Sequence, residues 1–249
     1  MHNSSKIIAL ICCRGGSKGI PHKNIKPFAG RPLLCWILGS ARKAAVFDDI
    51  VLSTDDEEIA AVGREHGASI PGLRPAHLAQ DTSDQFDTHS YIFDLLGIRD
   101  ETHRVCILTN NPFIDSGLIR AGFQKAASID FSRLVLDTVP VGGDYLHFRQ
   151  CYLDEDVLRF CFPRLMIDSQ INRQASGRIY TTMNNMRWAK PTPLRSYEAY
   201  KQEVVRNGIS PVCLPKLRNF DLDDLEDWRI AEAVFVAMNL AEATNQEAR

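Results

Sequence analysis

The first 139 residues switch repeatedly between two hydrophobic periods, and this alternation limits the possible folds more than any other feature. "KIIALICC" (6–13) is a short apolar run that stops at a glycine pair. "PLLCWILGSARKAA" (32–45) has apolar residues at helical spacing, and "DIVLSTD" (49–55) reads as a strand. "DEEIAAVGREHG" (56–67) reads as a helix with an acidic start, closed by Gly67. "FDTHSYIFDLLG" (86–97) and "SGLIRAGFQKAAS" (116–128) are further helices; "RVCILTN" (104–110) and "SRLVLDTV" (132–139) are further strands. Such alternation predicts an α/β fold, Rossmann-like and doubly wound, with a mainly parallel sheet covered on both faces. Ligands of such sheets bind beyond the carboxyl ends of the strands.

From about residue 140 the rhythm changes. Residues 140–190 hold few helical runs and many aromatics, among them Tyr145, Phe148, Tyr152, Phe160, Phe162, Tyr180 and Trp188. We read 140–190 as an inserted arm, and 1–139 with 191–249 as the main domain. In the latter part, 196–208 and 225–244 are expected helices and 210–215 an expected strand. Aromatic patches often mark interfaces, so the arm is expected to pair two copies into a homodimer.

The chain has 249 residues, enough for one α/β domain with an elaboration. A formal charge of -2 does not mark a nucleic-acid binder or a membrane-surface protein, so any basic site must be local. Seven cysteines without a CxxC pair argue against a zinc site or a disulfide framework. They read as small buried hydrophobes in a reducing compartment. "MHNSSKIIALICC" lacks the marks of a secretory signal, and the expected location is the cytoplasm.

The first strand runs into "RGGSKGIPHKNIK" (14–26), which carries Arg14, Lys18, Lys23 and Lys26. Gly15 and Gly16 let backbone N–H groups converge into an anion nest. Arg14, Lys18 and Lys23 would add charge, and Ser17 a hydroxyl donor. Polyphosphate binding follows, although neither GxxxxGK[ST] nor GxGxxG is present. A solvated turn with incidental cations is the alternative, weakened by the buried strand just before the loop. Elsewhere, "STDDEE" (53–58) allows a metal or base role for Asp55 or Asp56, but a helix cap explains it without chemistry. The histidines form no HxxxH or HxH pair, and no general base stands out.

The loop resembles the signature loop of the acylneuraminate cytidylyltransferases, the CMP-sialic acid synthetase family. Residues 28–68 follow that family's next strand–helix units, "RPAHLAQDT" (74–82) is similar to its Arg-Pro-Ala segment, and "FDLDDLEDWRIAEAVF" (220–235) to its Asp-x-Asp segment. The resemblance covers most of 6–139 and 210–240. It implies transfer of CMP from CTP to a 2-keto sugar acid with release of pyrophosphate, on a Rossmann-like fold with a dimerisation arm. By resemblance Arg14, Gly15, Gly16, Ser17, Lys18 and Lys23 hold the triphosphate, with Arg14 and Lys23 acting in catalysis. Asn24 and Arg74 face the pyrimidine, and Asp221 and Asp223 hold Mg²⁺. Asp221 and Asp223 alternate by two, so extended backbone points both to one face, while Asp224 reads as a helix cap.

The sequence departs from the family on the acceptor side. "LTNNPFID" (108–115) stands where a Gln-Pro-Thr-Ser-Pro-Leu-Arg stretch belongs, with Leu108 at the Gln and Ile114 at the Arg. Asn110 or Asn111 is expected to substitute for that Gln. Arg173 and Gln174 align with the arm's Arg-Gln, and Asn184 is the expected counterpart in the following turn. The acceptor is therefore open among sialic, pseudaminic and legionaminic acids. A nucleotidyltransferase for another sugar or sugar phosphate, with another nucleotide, is a second reading. A non-catalytic nucleotide-binding protein is a third.

Overall fold

The computed structural model describes residues 5–140, 151–154, 157–160, 180–218 and 220–247. Its elements are β1 (Lys6–Cys12), a ribbon of β2 (Pro27–Phe28) and β3 (Arg31–Pro32), α1 (Leu33–Ala44), β4 (Asp49–Ser53), α2 (Glu57–Glu65), α3 (Gln85–Leu95), β5 (His103–Leu108), α4 (Ser116–Ser128), β6 (Leu134–Pro140), a hairpin of β7 (Cys151–Asp154) and β8 (Val157–Phe160), β9 (Tyr180–Ala189), α5 (Tyr197–Asn207), β10 (Ile209–Cys213) and α6 (Leu225–Glu247). Side-chain carboxylates or hydroxyls cap several of the helices. Asp56, Asp84, Asp115 and Ser196 each accept from N–H groups of the first turn of α2, α3, α4 and α5.

Six strands form one sheet in the order β10-β6-β9-β5-β1-β4. β1 pairs in parallel with β4 and β5, and β6 in parallel with β10. The chain leaves β1 toward β4, then crosses back to place β5 on the other side, so the winding reverses at β1. Strand alternation sends Ala9 and Ile11 to one face and Ile8 and Leu10 to the other. Each face buries its own apolar layer: Leu34, Ile37 and Trp188 on one side, Ile92, Phe93 and Leu134 on the other.

One element corrects the sequence reading. Residues 180–189, grouped with the inserted arm, form β9, which lies inside the main sheet between β5 and β6 and antiparallel to both. Its buried half, Asn185–Ala189, supplies core residues such as Met186 and Trp188. The register of β6 against β9 shifts between Leu136 and Thr138. Asn184 sits at φ 57° there, and the Asp137 carboxylate accepts from the Met186 N–H at 2.9 Å. Asn184 is thus in an irregular strand rather than a turn. The aromatic arm's Tyr145, Phe148 and Phe162 lie outside the described residues. No helix of the described residues is long and apolar enough to cross a membrane.

His89 on α3 lies within the second layer, 1% exposed, against the rings of Phe86 and Phe93. Burial pushes its imidazole down to about 3, from an ordinary 6.5, with the Arg187 charge acting in the same direction. The folded protein thus holds the ring neutral, while the unfolded chain takes up a proton below about pH 6.5. Stability contributed by this group is complete above that pH and falls as the pH drops toward 3, by up to about 1.4 kcal/mol per pH unit. His89→Leu should flatten that limb in urea unfolding compared at about pH 7 and about pH 4.5. An unchanged slope in the variant would assign the acid sensitivity to other groups.

Candidate functional site

The basic loop leaves β1 at the carboxyl edge of the sheet, where the winding reverses. Ile20, 1% exposed, anchors it in a third apolar cluster with Phe28, Leu222 and Trp228. Two glycines answer to close approach. A Cβ at Gly15 would stand 2.6 Å from the Asp56 carboxylate, and one at Gly19 would stand 1.9 Å from the Asp223 carbonyl oxygen. The loop therefore packs directly under the backbone of the acidic segment, two hundred residues away in sequence. Lys26, without a task in the sequence reading, places its ammonium 5.9 Å from the Trp228 ring centre.

Around this loop lies a cavity of about 400 Å³. Arg14, Ser17, Lys23 and Asn24 line it from the loop, Asn110 and Asn111 from the segment after β5, Asn184 from β9, and Asp221 from the acidic segment. Eight of the sequence-predicted site residues thus meet in one place. Gln85, Thr109, Asn185 and Arg187 join them, and the sequence reading missed all four. Arg173 and Gln174 lie outside the described residues. A larger hollow of about 590 Å³ lies between α1, α4 and α6 and contains none of the predicted residues.

Amide groups hold the cavity wall together. Asn24 donates to the Arg14 carbonyl at 2.8 Å, and Asn110 donates to the Asn24 side chain at 2.9 Å. The Asn110 Oδ1 is buried and has no partner. Asn111 differs: it donates to Asn185 at 3.1 Å and to the Phe220 carbonyl at 3.0 Å, and accepts from the Phe113 N–H. Asn111 therefore ties the β5 segment, β9 and the acidic segment, whereas Asn110 keeps an acceptor open to a ligand. Leu108 and Ile114, which replace the family's Gln and Arg, are fully buried in the core.

The other predicted residues sit outside the cavity lining. Arg74 is 8% exposed and donates to the carbonyls of Ser53 and Leu78, with its Nε unpaired. Lys18 is exposed and, with Arg14, grips the Asp81 carboxylate, the Arg14 contact being 2.7 Å. The hydrogen bond from Lys18, together with the charges of Arg14 and Lys18, holds the Asp81 carboxyl below its ordinary value. Asp55 accepts from the Gly15 N–H at 3.1 Å, so a carboxylate already occupies one donor of the nest. Its neighbour Asp56 caps α2. In the acidic segment Leu222 is buried between the exposed Asp221 and Asp223, and of the two carboxylates only Asp221 lines the cavity. Asp224 accepts from the N–H groups of Glu226 and Asp227 and caps α6. Among the described residues no cluster of three His, Cys, Asp or Glu forms a complete metal cage. Two carboxylates two residues apart, with Asp221 on the cavity wall, fit Mg²⁺, which takes one or two carboxylates and keeps its remaining positions for water and phosphate oxygens.

A doubly wound sheet with a cationic glycine loop at its switch point defines a nucleotide-handling α/β protein. The model of the Cytidylyltransferase family matches residues 8–149, and the chain belongs to that family. The chain is 33% identical over 122 residues to a pseudaminic acid cytidylyltransferase of Campylobacter jejuni, covering 48% of this chain and 53% of the relative. It is 43% identical over 91 residues to a CMP-N,N'-diacetyllegionaminic acid synthase of Legionella pneumophila, covering 36% and 38%. Each match spans about half or less of the relative's length. A solved CMP:2-keto-3-deoxy-manno-octonic acid synthetase complexed with CTP shares the fold, with a TM-score of 0.68 at 14% identity, covering 94% of this chain and 100% of that one.

If Asp81 competes with phosphate for Arg14 and Lys18, Asp81→Asn should tighten pyrophosphate binding about two- to fivefold, the range of an exposed ion pair. Isothermal titration would read it. Weaker binding in the variant would instead show that Asp81 orients the two cations.

Proposed function

We propose that the protein is a nucleotidyltransferase that moves CMP from CTP to a nonulosonic acid and releases pyrophosphate. The observation that carries this reading is the meeting of Arg14, Ser17, Lys23 and Asn24 with Asp221 in one cavity at the switch point of the sheet. The relatives' names, which specify pseudaminic and legionaminic acids, and the CTP in the structural neighbour support the substrates.

In this reading Arg14, Ser17, Lys18 and Lys23 bind the triphosphate, and Asn24 holds the nucleoside end. The sugar hydroxyl attacks the α-phosphorus and pyrophosphate leaves. Charge grows on the phosphoryl oxygens, where Arg14 and Lys23 are in place to stabilise it. The rigid amide wall of Asn24, Asn110 and Asn111 supplies positioning, which is most of the remaining catalysis. Asp221 and Asp223 would hold Mg²⁺, whose charge screens the phosphate oxygens when bound. Arg74, behind the loop, supports the nucleotide side by fixing the carbonyls of Ser53 and Leu78. The protein works in the cytoplasm, and segment 141–179, without β9, is its dimerisation arm.

Pyrophosphate release should require CTP, a 2-keto sugar acid and Mg²⁺ together. Arg14→Ala and Asp221→Ala should each lower kcat by about a hundredfold or more while circular dichroism stays unchanged. Full activity in both variants would remove the site assignment, and release with a sugar phosphate or with GTP would move the substrates. Light scattering at micromolar concentration should give twice the chain mass; a clean monomer would end the arm's assigned role.

A further inference from the structure

The cavity holds a cation that the triphosphate site does not use. Arg187 projects from the carboxyl-terminal half of β9, paired across the sheet with Ile107 and Leu136. It is 4% exposed and lines the cavity. Its Nη2 donates to the Gln85 Oε1 at 2.6 Å, while its Nε is buried without a partner. Among the described residues it forms no ion pair with a carboxylate. Its other neighbours are uncharged: the Phe86 ring, 5.9 Å from the guanidinium carbon, the neutral His89, and Tyr200, whose hydroxyl burial pushes upward. Cys12, on the same cavity wall, is held as a thiol, pushed up to about 11 by burial. Asp137 is the carboxylate whose charge reaches it, but that side chain is turned to the Met186 N–H, and burial favours its protonated form.

A buried guanidinium normally has an anionic partner, since removing it from water is otherwise costly. Here four of the five N–H donors lack a described acceptor, and the space beside them is a substrate-sized cavity. The missing partner is an oxyanion that comes with the ligand. Its place argues against the triphosphate. Arg187 stands two strands from β1, so roughly 10 Å across the sheet from the root of the phosphate loop at ~4.8 Å per strand. Arg14 and Lys23 already serve that loop. The other anion the reaction requires is the carboxylate of the sugar acid, and a planar guanidinium fits it in bidentate fashion.

We propose that Arg187, held in place by Gln85, binds the carboxylate of the acceptor and so selects sugar acids over neutral sugars. The inference rests on the proposed transferase function. It deepens that function by assigning the acceptor's anionic group to a residue of the sheet.

The experiment compares wild type, Arg187→Met, Arg187→Lys and Gln85→Ala in pyrophosphate release, with a sugar acid and its methyl ester as acceptors. For wild type the ester should have a KM at least about tenfold above that of the acid, the ratio for one charge-assisted hydrogen bond. In Arg187→Met the acid's KM should rise by about ten- to a hundredfold to match the ester's, with the KM for CTP within about twofold. Arg187→Lys should recover part of the loss, and Gln85→Ala should lose less than Arg187→Met. A second readout needs no turnover: without ligand, Arg187→Met should melt at or above the wild-type temperature, because it removes a buried unpaired charge. A merely structural arginine predicts the opposite, a lower melting temperature with unchanged acid-to-ester selectivity. An increase confined to the KM for CTP would place the anion on the nucleotide and overturn the assignment. If wild type releases no pyrophosphate with any sugar acid, the function reading fails, and thermal shift with sialic acid and its ester decides about Arg187. A shift by the acid in wild type that is lost in Arg187→Met supports the inference; no shift in wild type overturns it.

Discussion

Assembly of the site depends on one small apolar cluster away from the main core. Ile20 lies within the basic loop and Phe28 just after it; Leu222 lies in the acidic segment and Trp228 just after it; Phe113 and Phe235 close the group. Phe28 meets Trp228 edge-on at 5.2 Å, and Phe113 stacks on Phe220 at 5.0 Å. Burying side chains of this kind contributes roughly 1.5–3 kcal/mol each. That is enough to fix a segment that the sheet does not hold. This contact helps to hold Asp221 at the cavity that Arg14 also lines, because the described residues between 214 and 224 belong to no strand of the sheet. Gly19 under the Asp223 carbonyl shows how closely the two segments meet.

Polar groups then set the register of what the apolar cluster brings together. Arg218 donates to the Phe113 carbonyl at 3.1 Å and pairs with Asp115, which also caps α4. Asn111 joins the same two segments from the cavity side. The loop after β5 is thus clamped to the acidic segment at Asn111 and at Phe113–Asp115, and Asn110, just before these clamps, is presented with an open acceptor. Cations, in contrast, are left with provisional partners. Asp81 is exposed and shared between Arg14 and Lys18, an interaction of the weak class of surface ion pairs.

The basic loop and the acidic segment were legible as candidate site segments because each is local. A strand, two glycines and three cations within a dozen residues state their chemistry in order, and "FDLDDLEDW" states the carboxylate pair and the cap together. The alternating elements from β1 to β6 were legible for the same reason, each carrying its own period. β9 was not. Tyr180–Asn184 is mostly exposed and Asn185–Ala189 wholly buried, so the strand has no period of two over its length. Its pairing with β5 and β6 is fixed by neighbours 80 and 50 residues away. Arg187 and Gln85 were illegible for a related reason. Neither residue is unusual in sequence, and only the fold reveals a buried charge lacking its counter-ion.

The antiparallel direction of β9 has a consequence for how such a site divides its tasks. Parallel strands end at the edge where ligands bind, so their following loops reach the cavity. An antiparallel strand begins there instead. The chain returning from segment 141–179 therefore enters the cavity edge first, with Met183 and Asn184 on the wall and Arg187 one turn of pleat further in. Residues fed by the inserted segment thus line one side of the cavity, the side proposed for the acceptor, while residues fed by β1 line the side proposed for the phosphates. The two halves are set by different stretches of chain, which meet across β5 and the Thr109–Asn111 segment that follows it. Under the proposed function, changes in the inserted segment and its returning strand alter the acceptor side without disturbing the basic loop. That is the pattern of this sequence, in which the phosphate loop resembles its family closely and the acceptor side departs from it.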